Sequence, residues 1–422
     1  MATQVVKLLC GESTVDLRLP GSVRVLEMDP VKPLADPGSV VRQALADPIG
    51  SPPLKEIVRG RENACVVISD ITRPVPNRVI LPPMLKTLEE GGIKRANITI
   101  LIATGMHRPN VGEELESMVG REIMDSYKIV NHFCRDAAEY RKIGEIEGAP
   151  IELNKHYLDA DLKILTGLIE PHFYAGYSGG RKALLPGLSS FETMKFMHSF
   201  DMIAHPKVRN CVLEGNPFHE YGLQVTELAG ADFMLNVVIN KAREIAGVFA
   251  GHYNQAHLAG CEMVYHHCTV QVGERVDMVI TSGGGYPLDA TFYQISKGMT
   301  AARDMLKKGG TIVVACECRE GLGSSEFCGI MTSVCSAQEF FDGYCDPKNF
   351  VIDQWCAQSI YQALNHAGQV YIYSPGLSQA DLERTGATKI ENVQETLDRL
   401  LQSHANVVAV PDGPYVVGIC NQ

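Results

Sequence analysis

Short apolar runs that end in Gly, Asp or Ser recur along this chain, separated by amphipathic stretches. They are ACVVISD (64–70), ITILIATG (98–105), LKILTGL (162–168), VDMVITSGGG (276–285), GGTIVVACE (309–317) and QVYIYSPG (369–376). Unbroken apolar runs of this length, closed by turn residues, predict strands buried on both faces. Between them, PNRVILPPMLKTLEEGG and TAARDMLKKGG carry helical spacing. Such alternation predicts an α/β fold with largely parallel sheets, whose binding residues gather on loops leaving the strand C-termini. Two segments predict antiparallel additions: VVKLLCGESTVDLRL, turning at Gly11–Ser13, and DFMLNVVINKAREIAGVFAG, turning near Asn240–Lys241.

A change of pattern comes at GHYNQAHLAGCEMVYHHCTVQV (251–272), which predicts a helix leading into a second strand series. At 422 residues the chain exceeds one ordinary core, so more than one domain is expected. We divide it into an N-terminal α/β domain over 1–260, a helical linker over 261–275 and a C-terminal α/β domain over 276–422. The active site is expected in the cleft between the two domains.

Composition narrows the function classes. Hydrophobic content of 45% and charged content of 21% are globular values. The chain has no run of 18 apolar residues and no secretory leader pattern at MATQVVKLLCGEST, so neither a membrane span nor export is expected. Thirteen scattered cysteines suit reduced thiols in a cytoplasm. A net charge of −11 argues against nucleic acid. An anionic substrate would depend on local cations, and Arg73, Arg108, Arg181, Lys182 and Lys297 lie in or beside candidate loops.

The stretch EPHFYAGYSGGRKALLPG (170–187) invites comparison with a nucleotide-binding P-loop. That loop requires Lys directly after Gly and a hydroxyl after Lys; here Arg181 intervenes and Ala183 follows. Successive glycine amides could still cradle an anion. A lysine beside an arginine has its ammonium form disfavoured, which makes a nucleophilic or covalent role for Lys182 chemically sensible. The same residues also suit a phosphate loop with two cations. SDITRPVPN (69–77) places Arg73 where a guanidinium fork could hold a carboxylate, although a capped turn with a solvated arginine reads equally well. ATGMHRP puts His107 just past a strand-ending glycine, a usual place for a general base, and His172 is a second loop histidine.

In SSFETMKFMHSF, Ser189 and Glu192 resemble a capping box, and His198 near the helix end is either a metal ligand or a core histidine. In GGGYPLDATFYQISKGM, Tyr293, Gln294 and Lys297 share a helical face. HExxH, EF-hand and GxGxxG patterns are missing. Cys316-x-Cys318 and His266–His267–Cys268 read as structural.

Taken in order, D-x-T-R-P, A-T-G-x-H-R-P, P-H-F-x-A-G-Y-S-G-G-R-K, M-H-S and Y-Q-x-x-K-G closely resemble the nickel-dependent lactate racemase family, over about residues 65–300. The resemblance implies a nickel-pincer cofactor, pyridinium-3,5-bisthiocarboxylic acid mononucleotide, joined covalently to Lys182 with His198 as nickel ligand. Asp70, Thr72, Gly176, Ser178, Gly179 and Gly180 are then expected around it, the loop amides holding its phosphate. It further implies His107 and His172 as catalytic bases and Arg73, Gln294, Lys297 and Tyr293 as substrate-binding residues, with Trp355 a weaker pocket candidate.

The implied reaction is racemisation or epimerisation of a 2-hydroxy acid through a 2-keto acid. Cofactor-synthesis proteins would be partners, and a homodimer stays open as an assembly state. The alternatives are an NAD-dependent 2-hydroxy acid dehydrogenase, which lacks its dinucleotide fingerprint here, and a non-catalytic carrier of nickel or cofactor.

Overall fold

The computed structural model describes residues 2–421. The chain divides into two compact units, and each draws on separated stretches of sequence.

One unit comprises Pro30–His198 and Pro206–His267. Its six-stranded sheet runs, in spatial order, Ile245–Gly251, Phe233–Ile239, Leu162–Leu168, Ala64–Ser69, Ile98–Ala103 and Lys128–Asn131. Only the first pair is antiparallel; the rest are parallel. Apolar runs without alternation form these strands because both faces are covered: Cys65, Val66, Val67 and Ile68 are all buried. Val66, Ile68, Ile100, Ile102 and Ile164 share a core with Ile80, Leu81, Met84 and Leu88 of the helix Asn77–Glu90. Each such side chain contributes about 1.5–3 kcal/mol on leaving water. Because Ser69 pairs with Ala103 and Val67 with Leu165, the three central strands finish close together. Their following loops therefore start side by side.

The other unit comprises residues 2–29, Ser199–His205 and 268–421. Its sheet is parallel throughout, in the order Thr388–Ile390, Gln369–Tyr373, Leu306–Ala315, Val276–Ser282, Val407–Val410 and Arg24–Val25. The hairpin Thr3–Cys10/Ser13–Pro20 presents Leu8, Leu17 and Leu19 to a core that includes Met278, Ile280 and Val313. Thus residues 2–29, assigned from sequence to the N-terminal domain, belong with the C-terminal ones. The hairpin's apolar face and the edge pairing of Arg24–Val25 hold them there. The stretch expected as linker forms the end of the helix Gln255–Cys268, followed by the strand Thr269–Gly273.

Two local expectations shift. The helical pattern TAARDMLKKGG ends at Met305, and Leu306 already pairs with Val276 as strand. The cap of the helix Phe191–Met197 is Ser190, whose Oγ accepts from the Thr193 amide at 3.3 Å, while Ser189 Oγ donates to the Pro186 carbonyl at 3.0 Å. Among the described residues no helix is long and apolar enough to cross a membrane.

Candidate active site

Two polar networks are built on the loops that follow the three central strands. In the first, Asp70 directly follows the strand Ala64–Ser69 and is buried. Its Oδ1 accepts from Thr72 Oγ1 at 2.6 Å, and its Oδ2 lies 2.6 Å from His107 Nδ1. Burial alone would raise this carboxyl. The hydrogen bonds from His107 and Thr72 and the charges of His107 and Arg73 outweigh it and hold Asp70 below its ordinary value. An ionised carboxylate only accepts, so Nδ1 of His107 carries a proton, and Nε2 is the nitrogen that holds the lone pair whenever the ring is neutral. The His107 side chain is 59% exposed, as a group that must meet a substrate requires.

Arg73 pairs with a different carboxylate. Its guanidinium is ion-paired with Glu170, in the loop after the strand Leu162–Leu168. Both side chains stay partly accessible, at 29% and 23%.

The second network begins two residues beyond Glu170. His172 Nδ1 accepts from the amides of Tyr174 at 3.1 Å and Ala175 at 3.2 Å. Its ring neighbours Tyr174 (centroids 5.9 Å apart), which stacks on Phe218 at 5.8 Å. His198 meets both rings edge-on, at 6.1 Å from Tyr174 and 5.3 Å from Phe218. Lys182 Nζ lies 6.0 Å from the Phe218 centroid. His198 is pushed down to about 4, first by burial and then by the Lys182 charge, the Met194 carbonyl opposing. Its Nδ1 faces that carbonyl at 2.9 Å, so Nδ1 is the donor and Nε2 holds the lone pair of a neutral imidazole. The structure thus brings His172, Lys182 and His198 around Tyr174 and Phe218, two aromatics that sequence reasoning passed over. Tyr174 lies within the quoted glycine motif, whereas Phe218 carried no signal beyond a helical pattern after Asn216–Pro217.

The glycine loop is where expectation and structure part. Gly176, Gly179 and Gly180 have φ of +75°, +76° and +54°, but the space beside them is filled by protein. A Cβ on Gly180 would sit 2.9 Å from the His257 ring. The Ser178 amide donates to Glu170 O, the Gly180 amide to Asn236 Oδ1, and the Lys182 amide to Gly179 O. Those three N–H groups are already satisfied, which corrects the reading of Ser178 and Gly180 as phosphate donors. Gly176 pairs with His172 in a two-residue ladder and shapes the turn that carries that histidine.

Nor is Arg181 a ligand-facing cation. It is 1% exposed, donates to the carbonyls of Ala175 at 2.6 Å and Tyr177 at 3.2 Å, and reaches His257 Nε2 at 3.0 Å. Burial lowers it to about 10, still cationic at neutral pH. Gly222 makes room for its stem, since a Cβ there would lie 2.6 Å from Arg181 Cγ. Arg181 therefore nails the loop from beneath while Lys182 faces the aromatics. Arg181→Ala strands carbonyls and opens a cavity, so we expect about 3 kcal/mol or more of lost stability. A denaturant midpoint within error of wild type would refute this.

In the other unit, Tyr293, Gln294 and Lys297 are partly buried on the helix Phe292–Met305, and Trp355 Nε1 donates to Tyr293 Oη at 3.1 Å. Among the described residues, no group of three or more His, Cys, Asp or Glu is placed to hold a metal ion.

With this geometry in view, comparison with known proteins is direct. Residues 10–210 match the lactate racemase N-terminal domain and residues 272–418 the lactate racemase C-terminal domain. The chain belongs to the lactate racemase family. A lactate racemase of Thermoanaerobacterium thermosaccharolyticum is 36% identical over 383 residues, covering 90% of this chain and 89% of that one. One from Lactiplantibacillus plantarum is 37% identical, covering 89% and 90%. The solved lactate racemase apoprotein of Thermoanaerobacterium thermosaccharolyticum superposes with a TM-score of 0.92 at 33% identity, over 99% of this chain and 100% of that one. A Thermotoga maritima protein shares the fold alone, with a TM-score of 0.67 at 17% identity, over 92% and 99%. As a member of the lactate racemase family this chain is an enzyme of the isomerase class, which sets aside the dehydrogenase and carrier readings.

Proposed function

We propose that the chain racemises a lactate-type 2-hydroxy acid through its 2-keto acid, using a nickel-pincer nucleotide joined to Lys182 and ligated by His198. The observation that carries this reading is the meeting of Lys182 and His198, a lysine and a neutral buried imidazole, around one aromatic pair. The donor set fits the group. His198 has its Nδ1 tied to a backbone carbonyl, an arrangement that fixes the tautomer of metal-ligating histidines, and nickel accepts imidazole nitrogen. One histidine cannot hold a metal alone, and a cofactor bringing its own sulfur ligands completes the set. The loop amides fit less well, so the phosphate is assigned to other donors than Ser178 and Gly180. The solved relative is itself described as an apoprotein, a word that implies a cofactor.

When bound, the cofactor supplies the two-electron acceptor for hydrogen at C2, which no side chain here can provide. The chain's residues do the rest. Deprotonating the C–H of a hydroxy acid is far harder than removing its hydroxyl proton, and the accessible His107, whose neutral ring has its lone pair on Nε2, is assigned to accept the latter. Asp70 stabilises the resulting imidazolium, and Thr72 steadies Asp70. His172 belongs to the same proton-handling pair. Arg73 holds the substrate carboxylate, after Glu170 yields or shares its guanidinium. Tyr293, Gln294 and Lys297 are assigned to substrate binding by the family pattern.

If Glu170 competes for Arg73, Glu170→Gln should tighten binding of a monocarboxylate such as pyruvate by about two- to fivefold, the worth of one partly solvated ion pair. Calorimetry showing unchanged or weaker binding would remove Arg73 from the carboxylate site. The function itself is tested with holoenzyme and a panel of enantiopure 2-hydroxy acids followed by optical rotation. Decay of rotation to zero with lactate is the expected result, and no decay with any member of the panel would sink the proposal.

A further inference from the structure

His132 is a buried histidine with no part in the chemistry described above. It follows the edge strand Lys128–Asn131 and is 1% exposed. Its backbone holds the neighbouring loop: the carbonyl accepts from Thr104 Oγ1 at 2.6 Å, and the amide donates to the Ile102 carbonyl at 3.1 Å. Thr104 opens the turn that delivers His107, whose amide donates to the Thr104 carbonyl at 2.9 Å.

The ring faces two other segments. Nε2 lies 3.0 Å from the Ser189 carbonyl, and Nδ1 lies 3.2 Å from Asn154 Nδ2. The next contact outward fixes which atom donates. Asn154 Oδ1 accepts from the His156 amide at 2.9 Å, capping the helix Lys155–Leu158. A backbone amide only donates, so Asn154 turns its N–H₂ towards His132. Nδ1 therefore accepts and Nε2–H donates to Ser189, and one neutral tautomer satisfies both. Burial pushes the ring down to about 4, the Ser189 carbonyl opposing, so it is neutral at physiological pH. Ser189 closes the segment that leaves Lys182. In that segment the Gly187 amide donates to the Lys182 carbonyl at 3.2 Å, and the Gly187 carbonyl accepts from the Gly105 amide at 3.0 Å.

We propose that His132 is a positioning residue: by clasping the loop that bears His107 to the segment that follows Lys182, it sets the register between proton acceptor and cofactor tether. The inference rests on the reading of His107 as a base and Lys182 as the tether. The Gly105–Gly187 bond is a single attachment, about which the loop can still rotate. The path from Thr104 through His132 to Ser189 is a second attachment, and two points remove that rotation. A core histidine without this role would stabilise the fold and leave the geometry of His107 alone.

The test uses full-length, cofactor-free protein labelled with ¹⁵N-histidine, in which the His107 Nδ1 resonance is identified by its loss in His107→Gln. His132→Phe keeps a ring of similar volume and deletes both ring hydrogen bonds. Folded by thermal melt, it should shift the His107 Nδ1 resonance, because the 2.6 Å contact with Asp70 is disturbed. An unshifted resonance overturns the proposal. Should the Phe variant not fold, Thr104→Val cuts the same path from the loop side and should give the same shift, with the same outcome overturning it.

In holoenzyme with lactate, His132→Phe should lower kcat by about 10- to 100-fold, the cost of a misplaced catalytic group, and leave KM within about twofold. His132→Gln, whose amide can still donate to Ser189, should return kcat to within about threefold of wild type. A Gln variant as slow as the Phe variant, or a loss that falls on KM alone, would overturn the clasp. If wild-type holoenzyme racemised no hydroxy acid, the functional reading would fail, while the His107 resonance in His132→Phe would still decide this inference.

Discussion

Replacing Lys182 with alanine should remove the cofactor adduct from the intact-mass spectrum and reduce racemisation to background. The expectation follows from the division of labour between two adjacent cations. Arg181 is turned inward onto the carbonyls of Ala175 and Tyr177, so it cannot substitute for its neighbour. Lys182 lies by Phe218, and its charge registers on His198. A covalent tether converts cofactor binding into a permanent, oriented attachment, an advantage in effective concentration that no set of weak contacts replaces. Lys182→Arg preserves charge but has no amine able to form the same bond, so it should be as empty as the alanine variant. Both variants leave Arg181 and its hydrogen bonds to the Ala175 and Tyr177 carbonyls in place, so both should stay folded by thermal melt. An adduct of unchanged mass in Lys182→Ala would move the tether elsewhere and dissolve the proposed site.

The fold was legible wherever one physical signal dominated. Runs such as ACVVISD and LKILTGL are buried on both faces and became central parallel strands. Short edge strands such as Arg24–Val25 and Thr388–Ile390 carry two or three residues of pattern and owe their conformation to the neighbour they pair with. The same holds for Leu306–Lys308, helical by spacing and strand by pairing. Membership of residues 2–29 in the second unit is a tertiary fact, fixed by where the hairpin buries Leu8, Leu17 and Leu19.

In the site, residue identities were readable but partners were not. That Arg73 pairs with Glu170, 97 residues away, follows from parallel strands ending together. That the Gly180 amide is already satisfied and the space beside it filled follows from Asn236 and His257, neither of which lies in the motif. Glycines with positive φ announce an unusual backbone path in sequence. Whether that path makes room for a ligand or for protein is settled only by packing.

The second large effect is expected at Asp70, a residue that need not touch substrate. Asp70→Asn is nearly isosteric and should fold, yet it should lower kcat on the order of 10²- to 10⁴-fold, the range for losing a correctly held general base. An asparagine can present its N–H₂ to His107 Nδ1, which favours the ring proton on Nε2 and removes the lone pair that accepts the hydroxyl proton. It also withdraws the negative charge that stabilises the imidazolium. Substrate binding should change little, because the carboxylate is assigned to Arg73, so the loss should fall on kcat and not on KM.

The adduct on Lys182 should persist, which separates this variant from a misfolded or unloaded one. The pH dependence of stability has a definite sign. Asp70 is held below its ordinary carboxyl value in the fold, so its contribution is fully present above about pH 4, the unfolded value, and is lost as pH falls through the depressed folded value. Asp70→Asn should therefore show a shallower acid-side loss of melting temperature than wild type. A variant with wild-type turnover would show that His107 needs no carboxylate to act, and the tautomer argument for the whole site would fall with it.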